Sequence, residues 1–282
     1  TKVTDPWLLR PFVMENAPTV LFGDNATAKS TLALFCAASI ASGNKILGSY
    51  LKKAVPVLYL DWESDSGSHL DRLERMAKEY NFNVRNLALF YKSMSAPLHT
   101  MTQHLAKQIS KNDIGFIVVD SALGACGTDI QSPDAPQNVY GAVRKLGVSA
   151  LIVAHQPKNA LDSDKPIGST FWSALARSTI KTTKKQSWGS NELSVYTEHT
   201  KNNFGMYEKP KVYRISHGID TLSINEDALG ASEFTEKLTV GDAVALDIET
   251  YGPSTINEIV ERTGRSRDGI KKAILRENRF IS

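Results

Sequence analysis

Apolar residues come in two rhythms along this chain. Short runs rich in branched side chains, at 19–22, 57–60, 87–91, 116–119 and 150–154, alternate with segments whose apolar positions recur every three or four residues. The runs predict strands buried on both faces, and the intervening segments predict crossover helices, because parallel strands need a connection that crosses the sheet. Helices are expected over 29–42, over 98–109 and around Leu70, Leu73, Ala77 and Tyr80, which fall on one helical face. The fold class is therefore α/β, a mainly parallel sheet covered by helices on both sides. Beyond about residue 176 the runs 193–200 and 211–216 are joined by polar, Gly-containing turns, a pattern of antiparallel strands extending the sheet. Residues 224–236 are polar and acidic, and a second apolar periodicity begins near Thr239. The expected division is a core over 1–223, a linker over 224–238 and a small helical domain over 239–282.

Length and composition agree with one large core and an appendage: 282 residues, 41% apolar and 22% charged, are ordinary globular usage. No apolar run approaches the roughly 18 residues of a membrane span, and residues 1–10 lack the basic and apolar stretches of a signal peptide. The expectation is a cytoplasmic protein without membrane attachment. The chain opens on Thr1 rather than Met, as a processed or trimmed chain does. Cys36 and Cys126 are too few for a disulfide framework and lack metal-ligand spacing, so they read as buried small hydrophobes or free thiols. A net charge of +3 permits a nucleic-acid surface without arguing for one.

The first strand runs directly into Gly23-Asp24-Asn25-Ala26-Thr27-Ala28-Lys29-Ser30 and then into the helical Thr31-Leu32-Ala33-Leu34. This is the strand, loop and helix order of a phosphate-binding P-loop. Backbone N–H groups at 23–31 and a helix N-terminus face the β-phosphate, Lys29 meets the β- and γ-phosphates, and the Ser30 hydroxyl meets Mg²⁺. The pattern expects Gly at position 28, where this chain has Ala; the methyl group restricts the backbone but leaves the lysine, the hydroxyl and the donors in place. ATP and Mg²⁺ are the expected ligands.

Such a site needs carboxylates at the C-terminal edge of the sheet, one for the metal and one for the attacking water. The run 116–119 ends in Asp120, a Walker B pattern that assigns Asp120 to the metal, followed by Ser121. The run 57–60 ends in Asp61-Trp62-Glu63, two acids that point the same way if the strand stays extended; Glu63 is the expected water-polarising base. The fifth run ends in His155-Gln156, where either side chain can hydrogen-bond a γ-phosphate and relay its presence to the polar loop 157–170, which carries Lys158 and Lys165. That loop suits either a polyanion channel or a solvated surface.

In order and spacing, these stretches resemble RecA-like ATPases, especially hexameric replicative helicases of the plasmid RepA and DnaB type. The matching residues are 23–30, Leu60-Asp61-Trp62-Glu63-Ser64, Asp120 with its strand, Ala154-His155-Gln156-Pro157-Lys158, Gly168-Ser169 and Lys201-Asn202-Asn203-Phe204-Gly205, within about 15–216. The resemblance implies Lys29 and Ser30 on nucleotide and metal, Glu63 as base, Asp120 on the metal and His155 as γ-phosphate sensor. It also implies a homo-oligomeric ring, a hexamer, with ATP between subunits and a cation donated in trans. Helicases of this type often carry Lys-x-Arg-x-x-Gly where this chain has Asn203 in place of the arginine; Lys201 and Arg177 are the two candidates for the donated charge.

In the C-terminal part, Ile256, Ile259 and Val260 make one helical face, Gly264 marks a turn, Ser266 can cap the next helix, and Ile270, Ala273 and Ile274 make a second face. This helix-turn-helix pattern resembles a winged-helix domain with 240–250 as its first helix. Arg265, Arg267, Lys271 and Lys272 gather around the second helix, where they can contact DNA; the competing reading is a packing or oligomerisation unit with a solvated basic face. Together the motifs predict an ATP-hydrolysing, ring-forming motor on single- or double-stranded DNA, a replicative helicase of a plasmid, phage or prophage element. The alternative is a nucleotide-switched DNA-binding ATPase that unwinds nothing. A small-molecule kinase using the same loop is disfavoured by the helix-turn-helix unit.

Overall fold

A computed structural model of the chain describes residues 5–156, 165–168, 170–205, 207–228 and 234–276. Nine strands form the main sheet: β3 (Pro18–Gly23), β5 (Val57–Asp61), β6 (Leu89–Ser93), β7 (Phe116–Asp120), β8 (Ser149–His155), β9 (Ser178–Lys185), β10 (Glu192–Asn202), β11 (Lys211–His217) and β12 (Leu222–Asp227). Their order is β12-β11-β10-β9-β3-β8-β7-β5-β6. From β9 to β6 every pairing is parallel, while β10 runs antiparallel to both β9 and β11. A separate small sheet of β1 (Trp7–Arg10), β2 (Val13–Met14) and β4 (Tyr50–Leu51) packs Leu8, Leu9 and Val13 into the core of the main sheet.

Burial on both faces explains the near-continuous apolar runs. Val57, Tyr59, Phe116, Val118, Leu151 and Val153 pack on one side with α1 (Lys29–Ser42) and with Leu73 and Met76 of α2 (Ser66–Tyr80). Leu58, Leu60, Ile117, Val119, Ala150 and Ile152 pack on the other with α3 (Thr102–Lys111), α4 (Ala122–Cys126) and α5 (Asp134–Leu146). Both cysteines are buried and unpaired.

Three local expectations shift. The strand expected over 87–91 starts at Leu89, because Leu87 N–H closes a 3₁₀ turn onto Val84 O. In α2 the buried face is His69, Leu73 and Met76, while Leu70 is exposed; the helix is rotated because His69 is drawn inward to Asp61. Residues 224–227, expected as linker, belong to β12.

The chain divides into two compact units, Thr1–Asn225 and Glu226–Ser282. The second holds α7 (Val240–Tyr251), α8 (Ile256–Thr263) and α9 (Arg267–Arg276) around Val244, Ile259 and Ile270. Thr255 and Glu258 form a capping box that starts α8, and Gly264, at φ 66°, ends it. Ser266 Oγ accepts from Gly269 N–H at 3.2 Å, so Gly269 is carried in a regular first turn of α9. Arg262 clamps Asp247 of α7 through two 2.8 Å bonds and lies 4.6 Å over the Tyr251 ring. Asp247 is buried, so this pair ties α8 to α7.

Candidate functional site

The phosphate loop joins β3 to α1 in the centre of the sheet, where β3 lies between β9 and β8. Gly23 sits where a side chain has no room: a Cβ there would lie 2.4 Å from Thr182 O and Oγ1 of β9. Thr27 Oγ1 and Thr182 Oγ1 meet at 3.0 Å, fastening the loop to that strand. Ala28 caps α1 in the left-handed conformation, φ 59° and ψ 23°, and Ala26 is also left-handed, at φ 57°. The P-loop pattern expects Gly at position 28 because of this backbone geometry, which turns successive N–H groups toward an anion. The alanine methyl costs about 1 kcal/mol there. Ala28→Gly is therefore expected to raise stability by about 1 kcal/mol, read from the midpoint of urea unfolding at unchanged slope.

Lys29 is buried to 5% exposure and its Nζ bridges the loop, donating to Asp24 O at 2.7 Å, Gly23 O at 3.2 Å and Thr27 Oγ1 at 3.4 Å. Burial pulls the ammonium down to about 8, against the opposing pull of Asp120, Glu63 and Asp24. A γ-phosphate set against Nζ would restore its charge.

The acids come from the strands on the β8 side of β3. Asp120 ends β7 and is buried; Tyr59 OH donates to its Oδ2 at 2.6 Å, and its Oδ1 is buried with no hydrogen-bond partner. Burial raises its carboxyl above the ordinary range, opposed by the Tyr59 and Ser30 hydroxyls. A hard cation fits this donor set: an orphaned carboxylate oxygen beside the Ser30 hydroxyl supplies oxygen ligands and compensates the buried charge. Glu63 lies beyond β5 on an exposed turn. Ser121 Oγ donates to its Oε1, and His155 Nε2 is 3.5 Å from the same oxygen. His155, then Ser121 and Lys29, hold the Glu63 carboxyl below its usual range despite partial burial.

Residues 26–31, Glu63, Asp120 and His155 line one cleft of about 420 Å³. Asn25 lies on the adjoining pocket of about 230 Å³, shared with His155 and Gln156. Arg72 of α2 and Leu193 of β10 also line the main cleft, and neither stood out in the sequence. Arg72 sits one position before buried Leu73, and helical spacing alone does not say that this neighbouring position overhangs the phosphate loop.

Asp61 does not share the cleft. β5 ends there, so the extended geometry that would align it with Glu63 stops. Its Oδ1 accepts from Glu63 N–H at 2.9 Å and Ser64 N–H at 3.0 Å, and its Oδ2 meets His69 Nε2 at 3.0 Å and Tyr91 OH at 2.9 Å. Asp61 thus shapes the turn that carries Glu63.

Arg177 and Lys201 lie at the other edge of the sheet. Arg177 N–H donates to Pro18 O, and Lys201 pairs in register with Thr179, at the strand ends opposite Gly23. Lys201 Nζ donates to Ser173 O at 2.8 Å and Ala174 O at 2.9 Å, closing α6 (Phe171–Leu175). Lys165 is exposed, and Lys158 and Ser169 lie outside the described residues. In the second unit Arg267, Lys271 and Lys272 are exposed on α9, whereas Arg265 donates to Leu238 O at 2.9 Å and Glu236 O at 3.2 Å and so ties down the segment before α7.

Among the solved structures that share the fold are two archaeal proteins. A KaiC-like protein, PH0186, from Pyrococcus horikoshii OT3 superposes with a TM-score of 0.55 at 11% identity, over 79% of this chain and 99% of that one. The flagellar accessory protein FlaH from Methanocaldococcus jannaschii gives 0.50 at 14% identity, over 76% and 90%. No curated protein sequence matches the chain significantly. Residues 4–160, from the small sheet through the end of β8, match the AAA domain family. Since that match takes in more than half of the 282 residues, the chain belongs to the AAA domain family and carries a P-loop ATPase core of RecA-like fold.

Proposed function

We propose that this ATPase is a ring-forming motor on DNA, hexameric in its working form, and a replicative helicase of a plasmid, phage or prophage element. The observation that carries the hydrolytic part is the single cleft in which Lys29, Ser30, Asp120, Glu63 and His155 converge. Lys29 holds the terminal phosphates, and Glu63, kept ionised by His155 and Ser121, accepts a proton from the attacking water. Ser30 and Asp120 would hold Mg²⁺, which would neutralise phosphate charge there. His155 links two neighbours: its Nε2 faces Glu63, and its carbonyl accepts Ile167 N–H at 2.8 Å from the loop that follows β8.

The ring rests on the placement of the two remaining cations. Lys201, paired with Thr179, is three strand residues, about 10 Å, from the level of Gly23, and Arg177 is five, about 17 Å. A charge at that edge serves a neighbouring subunit's nucleotide more readily than its own. DNA is supported by the exposed basic side of α9, with Arg267, Lys271 and Lys272, and by the exposed Lys165 near the end of β8.

A second reading, a slowly hydrolysing nucleotide switch on DNA, is favoured by Asn203 in place of an arginine finger, whose contribution is about 10³ to 10⁵ in rate. A forked DNA substrate decides between the two. The motor separates the strands with MgATP and the Lys29→Ala chain does not; duplex binding by the wild type without strand separation selects the switch.

A further inference from the structure

We propose that the β9–β10 hairpin is the nucleobase site of this ATPase, with the Trp188 indole as the stacking platform for a purine. The inference rests on the phosphate-site reading above and extends it to the other end of the nucleotide.

Strand order sets the direction in which the nucleotide must lie. Glu63 follows β5, and Asp120 and His155 end β7 and β8, all on one side of β3. The terminal phosphates are held on that side, so the α-phosphate and nucleoside run toward the other, where β9 and β10 stand. Thr182 of β9 is level with Gly23, and at about 3.3 Å per residue Lys185 lies about 10 Å beyond the level of Gly23, where the phosphate loop begins. The hairpin turn lies beyond it. Leu193, the second residue of β10, lines the phosphate cleft itself, so the hairpin rises directly from the cleft wall.

The turn is built rather than slack. Ser190 N–H donates to Ser187 O at 3.1 Å, Gln186 Nε2 to Ser190 O at 3.0 Å and Glu192 N–H to Ser190 Oγ at 3.0 Å. Asn191 and His217 exchange two bonds, Nδ2 to O at 3.1 Å and N–H to O at 2.9 Å, which fixes the hairpin base to the end of β11. On this support Trp188 is fully exposed. Leaving an indole in water forgoes a large burial gain. Lys184, Gln186, Ser187, Trp188 and Ser190 line an open, solvent-facing hollow of about 540 Å³ on the turn. An aromatic face with amide, hydroxyl and ammonium groups around it is the chemistry that takes a nucleoside: the base stacks and its edge finds polar partners.

The test compares MgATP with magnesium tripolyphosphate, which has the phosphates and no base. Trp7 and Trp172 are buried and Trp62 is partly buried, so the fluorescence most open to iodide quenching comes from Trp188. In the wild type MgATP is expected to shield this fluorescence and tripolyphosphate is not. Trp188→Ala is expected to lose about tenfold in ATP affinity by calorimetry with unchanged tripolyphosphate affinity, and Trp188→Tyr to recover most of the loss. Equal ATP affinity in the wild type and Trp188→Ala, with tripolyphosphate bound by both, overturns the base site alone. An equal loss of both ligands also overturns it, by making the hairpin a general support. Absence of tripolyphosphate binding by the wild type removes the phosphate-site reading and this proposal with it. Shielding of Trp188 by single-stranded DNA and not by MgATP assigns the indole to nucleic acid instead.

Discussion

Replacing Lys29 by Ala is expected to weaken MgATP binding by at least ~100-fold, because the lost ammonium makes charge-assisted bonds to phosphate worth about 1.5–3 kcal/mol each. The geometry gives this prediction a signature that a merely damaged loop would lack. Burial holds the ammonium down to about 8 in the free protein, and the charge of the phosphates raises it again on binding. Near pH 8 the bound state therefore holds more protons than the free state, and binding takes up a proton. Calorimetry in buffers of different ionisation enthalpy reads that uptake directly. Above pH 8 the free protein loses the proton that binding needs, so affinity is expected to fall, approaching tenfold per pH unit. Both effects should vanish in Lys29→Ala. A variant that binds weakly yet keeps the uptake would move the titrating group elsewhere. The substitution also releases Gly23 O and Asp24 O, which Lys29 Nζ bridges; a thermal melt of the free variant measures that structural share separately.

The order of motifs was legible because each is local and repeats the sheet's own logic. A branched run followed by Gly23 to Ser30, and runs closed by Asp120 or His155, name the C-terminal edge without any coordinates. Pattern also gave the antiparallel extension, since β10 and β11 alternate with polar turns. What pattern could not give is direction at the end of an element. Asp61 and Glu63 are two residues apart in sequence, yet the strand ends between them, and Asp61 turns its oxygens to Glu63 N–H, Ser64 N–H, His69 and Tyr91. Arg72 was hidden for a similar reason: it is an ordinary helix cation until α2 is set against the phosphate loop. The short strands β1, β2 and β4 have two to four residues each, too few for a period to emerge. In the second unit, charge alone grouped Arg265 with Arg267, Lys271 and Lys272, but the carbonyls of Glu236 and Leu238 claim Arg265. Arg262, absent from that grouping, proves to be the clamp on Asp247.

Glu63→Gln is expected to separate binding from chemistry. The amide keeps the size of the side chain and can still accept from Ser121 Oγ, so MgATP affinity should change little, while hydrolysis falls by about 10² to 10⁴ with the loss of a general base. His155 Nε2, Ser121 and Lys29 hold the Glu63 carboxyl below the ordinary range, so the base is ionised throughout neutral pH and the wild-type rate should show no Glu63 titration between pH 6 and 8. Single-turnover phosphate release, measured with saturating nucleotide, isolates the chemical step from binding and product release. Hydrolysis at the wild-type rate in Glu63→Gln would remove this carboxylate from the mechanism and leave the buried Asp120 as the acid at the site. Ser121→Ala refines the assignment. It removes one donor from Glu63 without touching the phosphate loop, so it should slow hydrolysis by a smaller factor and shift the acid limb of the rate profile upward, since the carboxylate is then less well held in its charged form.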